Sequence, residues 1–277
     1  MVRPVLLYAA QVVVPIGVTT LGKRRETLHQ NSLRSVLGLS RSVPTELIYL
    51  EAGQLPLRFT CIEIVRKHWD RLLSLHEDRL MWRVLWDDWS CRRGMGQHSW
   101  CMRALCYMSG FVVNRRGLVP RFVVDGNVDI RQAFDSLGSA PVEALRAAWV
   151  DEAVEERDGL PGPRRSPRCA FYAEATGLRH VEWQLGDDEE QDTCTVTVPD
   201  HLSQCGVDRA HRVLITKFRC SDHPLAVERG RRANIPAAER TCPCCDREVE
   251  TVEHFLFECP VYVDLRSEFD FLFRDYI

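Results

Sequence analysis

Residues 241–260 read Thr241-Cys242-Pro243-Cys244-Cys245-Asp246-Arg247-Glu248-Val249-Glu250-Thr251-Val252-Glu253-His254-Phe255-Leu256-Phe257-Glu258-Cys259-Pro260. No other stretch constrains the chain as strongly. Cys242 and Cys245 stand in Cys-x-x-Cys spacing, and His254 and Cys259 follow after a short polar link. Three thiolates and one imidazole complete a tetrahedral shell of the structural kind, with no position left for a reacting water. Soft sulfur donors select zinc over magnesium or calcium, so one structural zinc ion is expected at Cys242, Cys245, His254 and Cys259. A Cys-x-x-Cys pair is also the spacing of a redox dithiol, and four unrelated residues in a small apolar subdomain is the plainer alternative. The arrival of His254 and Cys259 at knuckle-like spacing favours the metal. Cys244 is an additional thiol inside the turn and a competitor to Cys245, but Cys-x-x-Cys geometry favours Cys245. Pro243 stiffens the turn, Thr251 is placed to cap a short helix through His254 and Phe257, and Pro260 suits the first turn of the next helix.

Around this stretch the composition is that of ordinary globular protein: 277 residues, 45% apolar, 27% charged, net charge -3. That balance excludes a uniformly basic nucleic-acid coat. The charge is uneven, however. Residues 1–80 carry 11 Lys/Arg against 7 Asp/Glu, roughly +4, and residues 205–240 carry 8 against 4, again roughly +4. The middle is acidic, most visibly at Asp187-Asp188-Glu189-Glu190. Twelve scattered cysteines in a chain this long do not make a small secreted disulfide scaffold. With a thiolate metal site, an intracellular location, nuclear or cytoplasmic, is expected. The apolar run Val5 to Val18 behind Arg3 has the form of a signal-peptide h-region, but Gln11, Pro15 and the basic Lys23-Arg24-Arg25 fit a buried helix at least as well; the run is too short to span a bilayer, so no membrane partner is expected.

Periodicity predicts a mainly α chain. Residues 4–14 are apolar almost all round and require cover from elsewhere. Thr19 or Thr20 caps a helix through Leu28, Leu33 and Leu37, closed by Gly38, with Lys23, Arg24, Arg25 and Arg34 on its other face. Pro44-Thr45 starts a short helix ended by Gly53, and Pro56 starts a longer one through Trp69 and Leu73. Arg79 to Trp86 continues the helical pattern, its aromatics reading as core and Asp87-Asp88 as a solvated helix end. Residues 111–113 and 122–124 are candidate short strands. Ser139 caps a further helix containing Trp149, Leu160–Pro167 is a linker, and 187–192 is an acidic loop. A helix runs from about Asp208 to Phe218. Residues 222–236 then form a compact basic loop leading into the metal turn. Val261, Leu265, Phe269 and Leu272 form one face of a last helix, expected to pack on Phe255, Leu256 and the helix at 208–218. The resulting division is a helical part over 1–90, an irregular or helical middle over 91–204, and a small zinc-stapled module over 205–277.

The run Arg219…His223-Pro224-Leu225-Ala226-Val227-Glu228-Arg229-Gly230-Arg231…Ile235-Pro236…Arg240-Thr241-Cys242-Pro243…Cys245…His254-Phe255-Leu256-Phe257-Glu258-Cys259-Pro260-Val261-Tyr262 resembles the C-terminal zinc module of LINE-type (non-LTR) retrotransposon reverse transcriptases. Pro4–Ala10, Leu33–Leu39 and Glu51–Leu57 are similar to the helical, thumb-side region of the same family. The resemblance covers residues 1–80 and 205–277, and the middle only by position. It implies a nucleic-acid-binding role, on single-stranded RNA or DNA without sequence preference, and a polymerase domain as an associated part. Arg219, Arg229, Arg231 and Arg232, with Lys23, Arg24 and Arg25 at the other basic end, would make the phosphate contacts. The family's strand pair with metal-binding aspartates does not occur in this sequence. Nor does a nucleophile motif or a phosphate-cradling glycine loop, so no enzymatic activity is expected. The alternative is a structural or protein-interaction remnant whose zinc only staples a helical core.

Overall fold

The structure, a computed structural model, describes residues 6–12, 20–91, 99–105, 107, 129–132, 149, 167–177, 179, 181–184, 193–204 and 206–269. The fold is mainly α, with a cysteine/histidine cluster near the C-terminus. Four helices form the first part: α1 Thr20–Leu37, α2 Thr45–Glu51, α3 Leu57–Leu73 and α4 Leu80–Ser90. Leu33 and Leu37 of α1, Leu47, Ile48 and Leu50 of α2, and Phe59, Val65 and Trp69 of α3 meet in the core. Burying each large aliphatic side chain there contributes about 1.5–3 kcal/mol. Gly38 ends α1 in the left-handed region at φ 69, and Leu39 N–H donates to Arg34 C=O at 3.0 Å, a Schellman closure. A side chain on Gly38 would also strike Val213, so this glycine lets the later helix that carries Val213 approach α1.

The pattern from Arg79 to Trp86 does not continue α3. Ser74 caps α3, its N–H bonded to Asp70 C=O, and a polar turn through His76 and Asp78 precedes α4 as a separate helix. Trp69, Trp82 and Trp89 are buried as expected, and Trp69 stacks on Trp100 at 5.3 Å; Trp86 is half exposed, stacked on Trp82. Asp88 is not a solvated helix end. Its carboxylate accepts from Ser99 Oγ and Cys101 N–H, each at 2.8 Å, and from Trp100 N–H at 3.2 Å. It therefore caps the helical residues 100–105, a contact no local pattern announces. Asp87 stays exposed.

The N-terminal apolar run is interrupted within the described residues. Residues 7–9 form a turn with Ala9 at φ 51, and only Leu6 and Ala10 are buried, Ala10 near Cys61 and Ile64; Tyr8 is 81% exposed. Among the described residues no helix is long and apolar enough to cross a membrane.

From the middle, helix α5 (Pro167–Thr176) starts where the linker was expected to end. The sequence reading missed a two-stranded antiparallel hairpin, β1 (Val181–Gln184) with β2 (Thr193–Val196), in register Val181 to Val196 and Gln184 to Thr193. The expected strands at 111–113 and 122–124, the helix start at Ser139, the linker residues 160–166 and the acidic loop 187–192 lie outside the described residues; Trp149 is described and packs edge-on against Tyr49 and Phe59. The chain then forms α6 (Asp200–Ser203) and α7 (Arg209–Arg219), the latter capped by Asp208, which accepts from His211 N–H at 2.9 Å. Helix α8 (Ala226–Arg232), the metal turn and α9 (Val263–Glu268) complete it.

One buried carboxylate ties these segments together. Glu51, at the end of α2 and 0% exposed, accepts from Tyr172 Oη of α5 at 2.6 Å and from Arg219 Nε of α7 at 3.0 Å, and His201 Nε2 lies 3.0 Å away. Burial alone would raise the Glu51 pKa. The hydrogen bond from His201, the charge of Arg219 and the hydrogen bond from Tyr172 outweigh it and hold the carboxyl below its ordinary value.

Candidate metal centre

The cluster is built by a short knuckle. Thr241 and Val249 pair across it as an isolated antiparallel bridge. Cys242 N–H donates to Glu248 C=O at 2.7 Å, and Asp246 N–H to Cys242 C=O at 2.9 Å, with Asp246 at φ 54 turning the chain back. An Asp tolerates that left-handed conformation better than a branched residue would. Thr251 caps the following turn, accepting from His254 N–H at 3.0 Å. The turn His254–Glu258 is wide, of π type, and Cys259 N–H closes it on His254 C=O at 2.7 Å. Pro260 then opens the 3-10 turn Pro260–Tyr262, as the sequence indicated.

This backbone brings Cys242 Sγ, Cys245 Sγ, His254 and Cys259 Sγ together, their ligand atoms all within 4.8 Å of one another. The separations fit a tetrahedral ion. Cys242 Sγ and Cys259 Sγ are 3.9 Å apart, and Cys245 Sγ lies 3.4 Å from His254 Nε2. Bonds of zinc length at tetrahedral angles require about 3.7 Å between sulfurs and about 3.5 Å between sulfur and nitrogen. Cys242, Cys245 and Cys259 form no disulfide, so these thiols are free to ligate. Cys242, His254 and Cys259 are buried and Cys245 is half-buried. Burial pushes the Cys242 thiol up to about 11, while the Arg247 N–H, aided by that of Glu248, brings Cys245 down to about 7. A cation would remove both protons, since the thiolate is the ligand.

Cys244 does not compete for this position. It is exposed, and its sulfur faces Tyr262 Oη at 3.0 Å. The sequence reading also passed over Glu248, whose carboxylate lies 3.1 Å from His254 Nδ1. A carboxylate between the second cysteine and the histidine was its only signal.

The basic segment before the metal turn differs from the expected loop. Residues 226–232 are helix α8, because the turn supplies its cap: the Glu250 carboxylate accepts from Ala226 N–H, and Glu250 C=O from Val227 N–H at 3.3 Å. An anion at a helix N-terminus, with Arg229, Arg231 and Arg232 in the last turn, matches the helix dipole at both ends. Gly230 is buried and does not open a path to a phosphate. A Cβ there would lie 2.5 Å from Arg240 Cγ, whose guanidinium is fixed on Ile235 C=O and Val227 C=O.

The seven expected phosphate contacts differ in their surroundings. Arg219 bonds Glu51 through Nε, with its guanidinium 5.5 Å from the Tyr172 ring centroid, and its side chain is 23% exposed. Arg231 and Arg232 each use part of their fork on an acid of this chain. Arg231 pairs with Glu228 at 2.8 Å and Arg232 with Asp222 at 2.8 Å, both arginines remaining about two-fifths exposed. Arg229 is exposed, and no ion pair is recorded for it among the described residues. Lys23 and Arg24 are exposed and Arg25 half-buried on α1, an element apart from the metal turn. Two acids near α8 also clasp the first part of the chain. Asp222 accepts from Ser40 N–H and Oγ, and Glu228 from Arg168, which in turn donates to Ser42 C=O.

The last helix corrects another expectation. Val261, Leu265 and Phe269 are 56%, 54% and 44% exposed, so that face does not pack inward; Leu272 lies outside the described residues. Its place against Phe255 is taken by Tyr262, at 5.1 Å edge-on, while Phe218 of α7 stacks on the other side at 5.9 Å. No family model, curated protein or solved structure matches this chain.

Proposed function

We propose that the chain holds one structural zinc ion at Cys242, Cys245, His254 and Cys259, and that the module around it binds single-stranded RNA or DNA without sequence preference. The observation that carries this reading is the covalent and hydrogen-bonded unity of metal turn and arginine helix. Glu250 of the turn caps α8, and Arg240, which leads into the turn, bonds back to α8 at Val227 C=O. A metal that fixes the turn therefore fixes the direction of Arg229, Arg231 and Arg232. Planar guanidinium forks suit phosphate oxygens, and such contacts position without reading sequence. The resemblance of residues 1–80 and 205–277 to the thumb-side and zinc-binding parts of non-LTR reverse transcriptases supports the same reading. On it, the chain is a non-catalytic fragment of such an enzyme, and a polymerase domain is its natural partner.

A second reading has its own observation. Arg219, Arg231 and Arg232 are all paired with acids of this chain, as a purely structural module would have them. Arg229 and Arg231 separate the two readings. Arg232 is left in place because it is the cationic partner of the buried Asp222, whereas Glu228 keeps Arg168 when Arg231 is removed. Binding of full-length protein to single-stranded RNA and DNA is titrated against salt for wild type and for the Arg229→Ala/Arg231→Ala double variant. The variant is expected to keep its metal, to lose affinity for all sequences alike, and to show a salt slope smaller by about one or two. Equal affinity and equal slope favour the structural module.

A further inference from the structure

We propose that Glu248 is the positioning residue of the metal centre, holding the His254 imidazole in the one tautomer that can ligate. The inference rests on the metal reading above. His254 is 97% buried and turns Nε2 toward Cys245 Sγ at 3.4 Å. Its other nitrogen, Nδ1, faces out of the cluster, 3.1 Å from Glu248 Oε2. A neutral imidazole carries one proton. To offer a lone pair at Nε2, that proton must sit on Nδ1, where a carboxylate accepts it and makes the ligating nitrogen more basic. The tautomer follows from the acceptor, since a ring nitrogen's proton is placed by the bond it makes.

Glu248 is placed for this by the knuckle itself. Its carbonyl accepts Cys242 N–H at 2.7 Å, and its neighbour Val249 forms the bridge to Thr241. Its main chain thus shapes the turn around the first ligand while its side chain orients the third. The Glu248 side chain is 66% exposed, so the carboxylate keeps its hydration on one side and costs little to place. Glu258 is the second acid nearby, but its carboxylate is 3.8 Å from Nδ1, beyond a direct hydrogen bond. It serves as an internal comparison with the same charge on the same face.

Full-length reduced protein is prepared as wild type, Glu248→Ala, Glu248→Gln and Glu258→Ala. Zinc affinity is measured by competition with a chromophoric chelator, and the His254 tautomer by nitrogen-15 spectra of histidine-labelled protein. Glu248→Ala is expected to weaken zinc about 10–100-fold. Glu248→Gln, which keeps an acceptor but not the charge, should recover part of that loss, and Glu258→Ala should stay within about threefold of wild type. In the zinc-loaded wild type the proton should sit on Nδ1 of His254 and exchange slowly with solvent, and in Glu248→Ala the same proton should exchange faster. Unchanged proton exchange and affinity in Glu248→Ala, or a larger loss in Glu258→Ala, overturns the assignment while leaving the metal reading intact. Wild-type protein that takes up no zinc overturns the metal reading itself.

Discussion

The metal cluster and the Glu51 network both hold charge away from water, and they do so in opposite ways. Cys242 and Cys259 stand 17 residues apart, and one ion would satisfy all four ligands. Glu51 draws on Tyr172 and Arg219, 121 and 168 residues away, and on His201. The first site is a local device, and with an ion bound its energy would come from ligand bonds. The second depends on the whole fold, because its partners meet only when α2, α5, α6 and α7 are packed. Removing one member of either leaves the rest stranded, but the consequences should spread differently.

The largest effect should follow Cys259→Ser. A structural zinc site is worth about 10–16 kcal/mol of apparent binding energy, most of it folding energy of the element it closes. The variant should release the metal, and amide exchange should accelerate through 241–269 while helices α1 to α4 keep their protection. Equal loss of protection in both regions would show that the two sites are one cooperative unit and break the contrast.

Glu51→Ala should come next, at about 3–5 kcal/mol, the cost of stripping one partner from a buried ion pair. Urea unfolding measures it, and here the loss should be global, with zinc still bound. Acid sharpens the point. The Glu51 carboxyl is held below its ordinary value of 4.5 in the fold, so its contribution is complete above that pH and disappears as acid protonates the folded carboxylate. Wild type should therefore lose stability as the pH falls below about 4.5, and Glu51→Gln should flatten that part of the profile. Identical slopes would assign the acid sensitivity elsewhere.

The smallest effect is expected from Gly230→Ala, where the added methyl meets Arg240, itself fixed on two carbonyls. Overpacking of this kind costs about 1–3 kcal/mol. Because α8 is capped by Glu250 of the metal turn and its Glu228 bonds Arg168 of α5, the variant should lower both the unfolding midpoint and the zinc affinity slightly. A change in one without the other would locate the mechanical coupling on one side of α8.

How much could be read beforehand follows the same divide. The ligand set, the cap at Thr251, the start of α7 near Asp208 and the glycine closure at Gly38 were legible, because each is a pattern within a few residues of itself. The β1–β2 hairpin was not, since each strand has only four residues and neither alternates clearly. Helix α8 read as a loop because its cap comes from Glu250, beyond the segment itself. Arg219 read as a phosphate ligand because an arginine near other arginines carries no sign of a buried carboxylate elsewhere in the chain.

The sequence alone determined the helical class and the four-residue cluster, because helical periodicity and ligand spacing are short-range properties that any fold must respect. Only the tertiary structure decided which charges face solvent. It committed Arg219 to Glu51, divided Arg231 and Arg232 between acids and water, turned Cys244 to Tyr262, and left Val261, Leu265 and Phe269 uncovered. The physical reason is that a charged side chain is assigned by the desolvation and partners it meets after packing, and those partners are set by contacts between segments far apart in the chain.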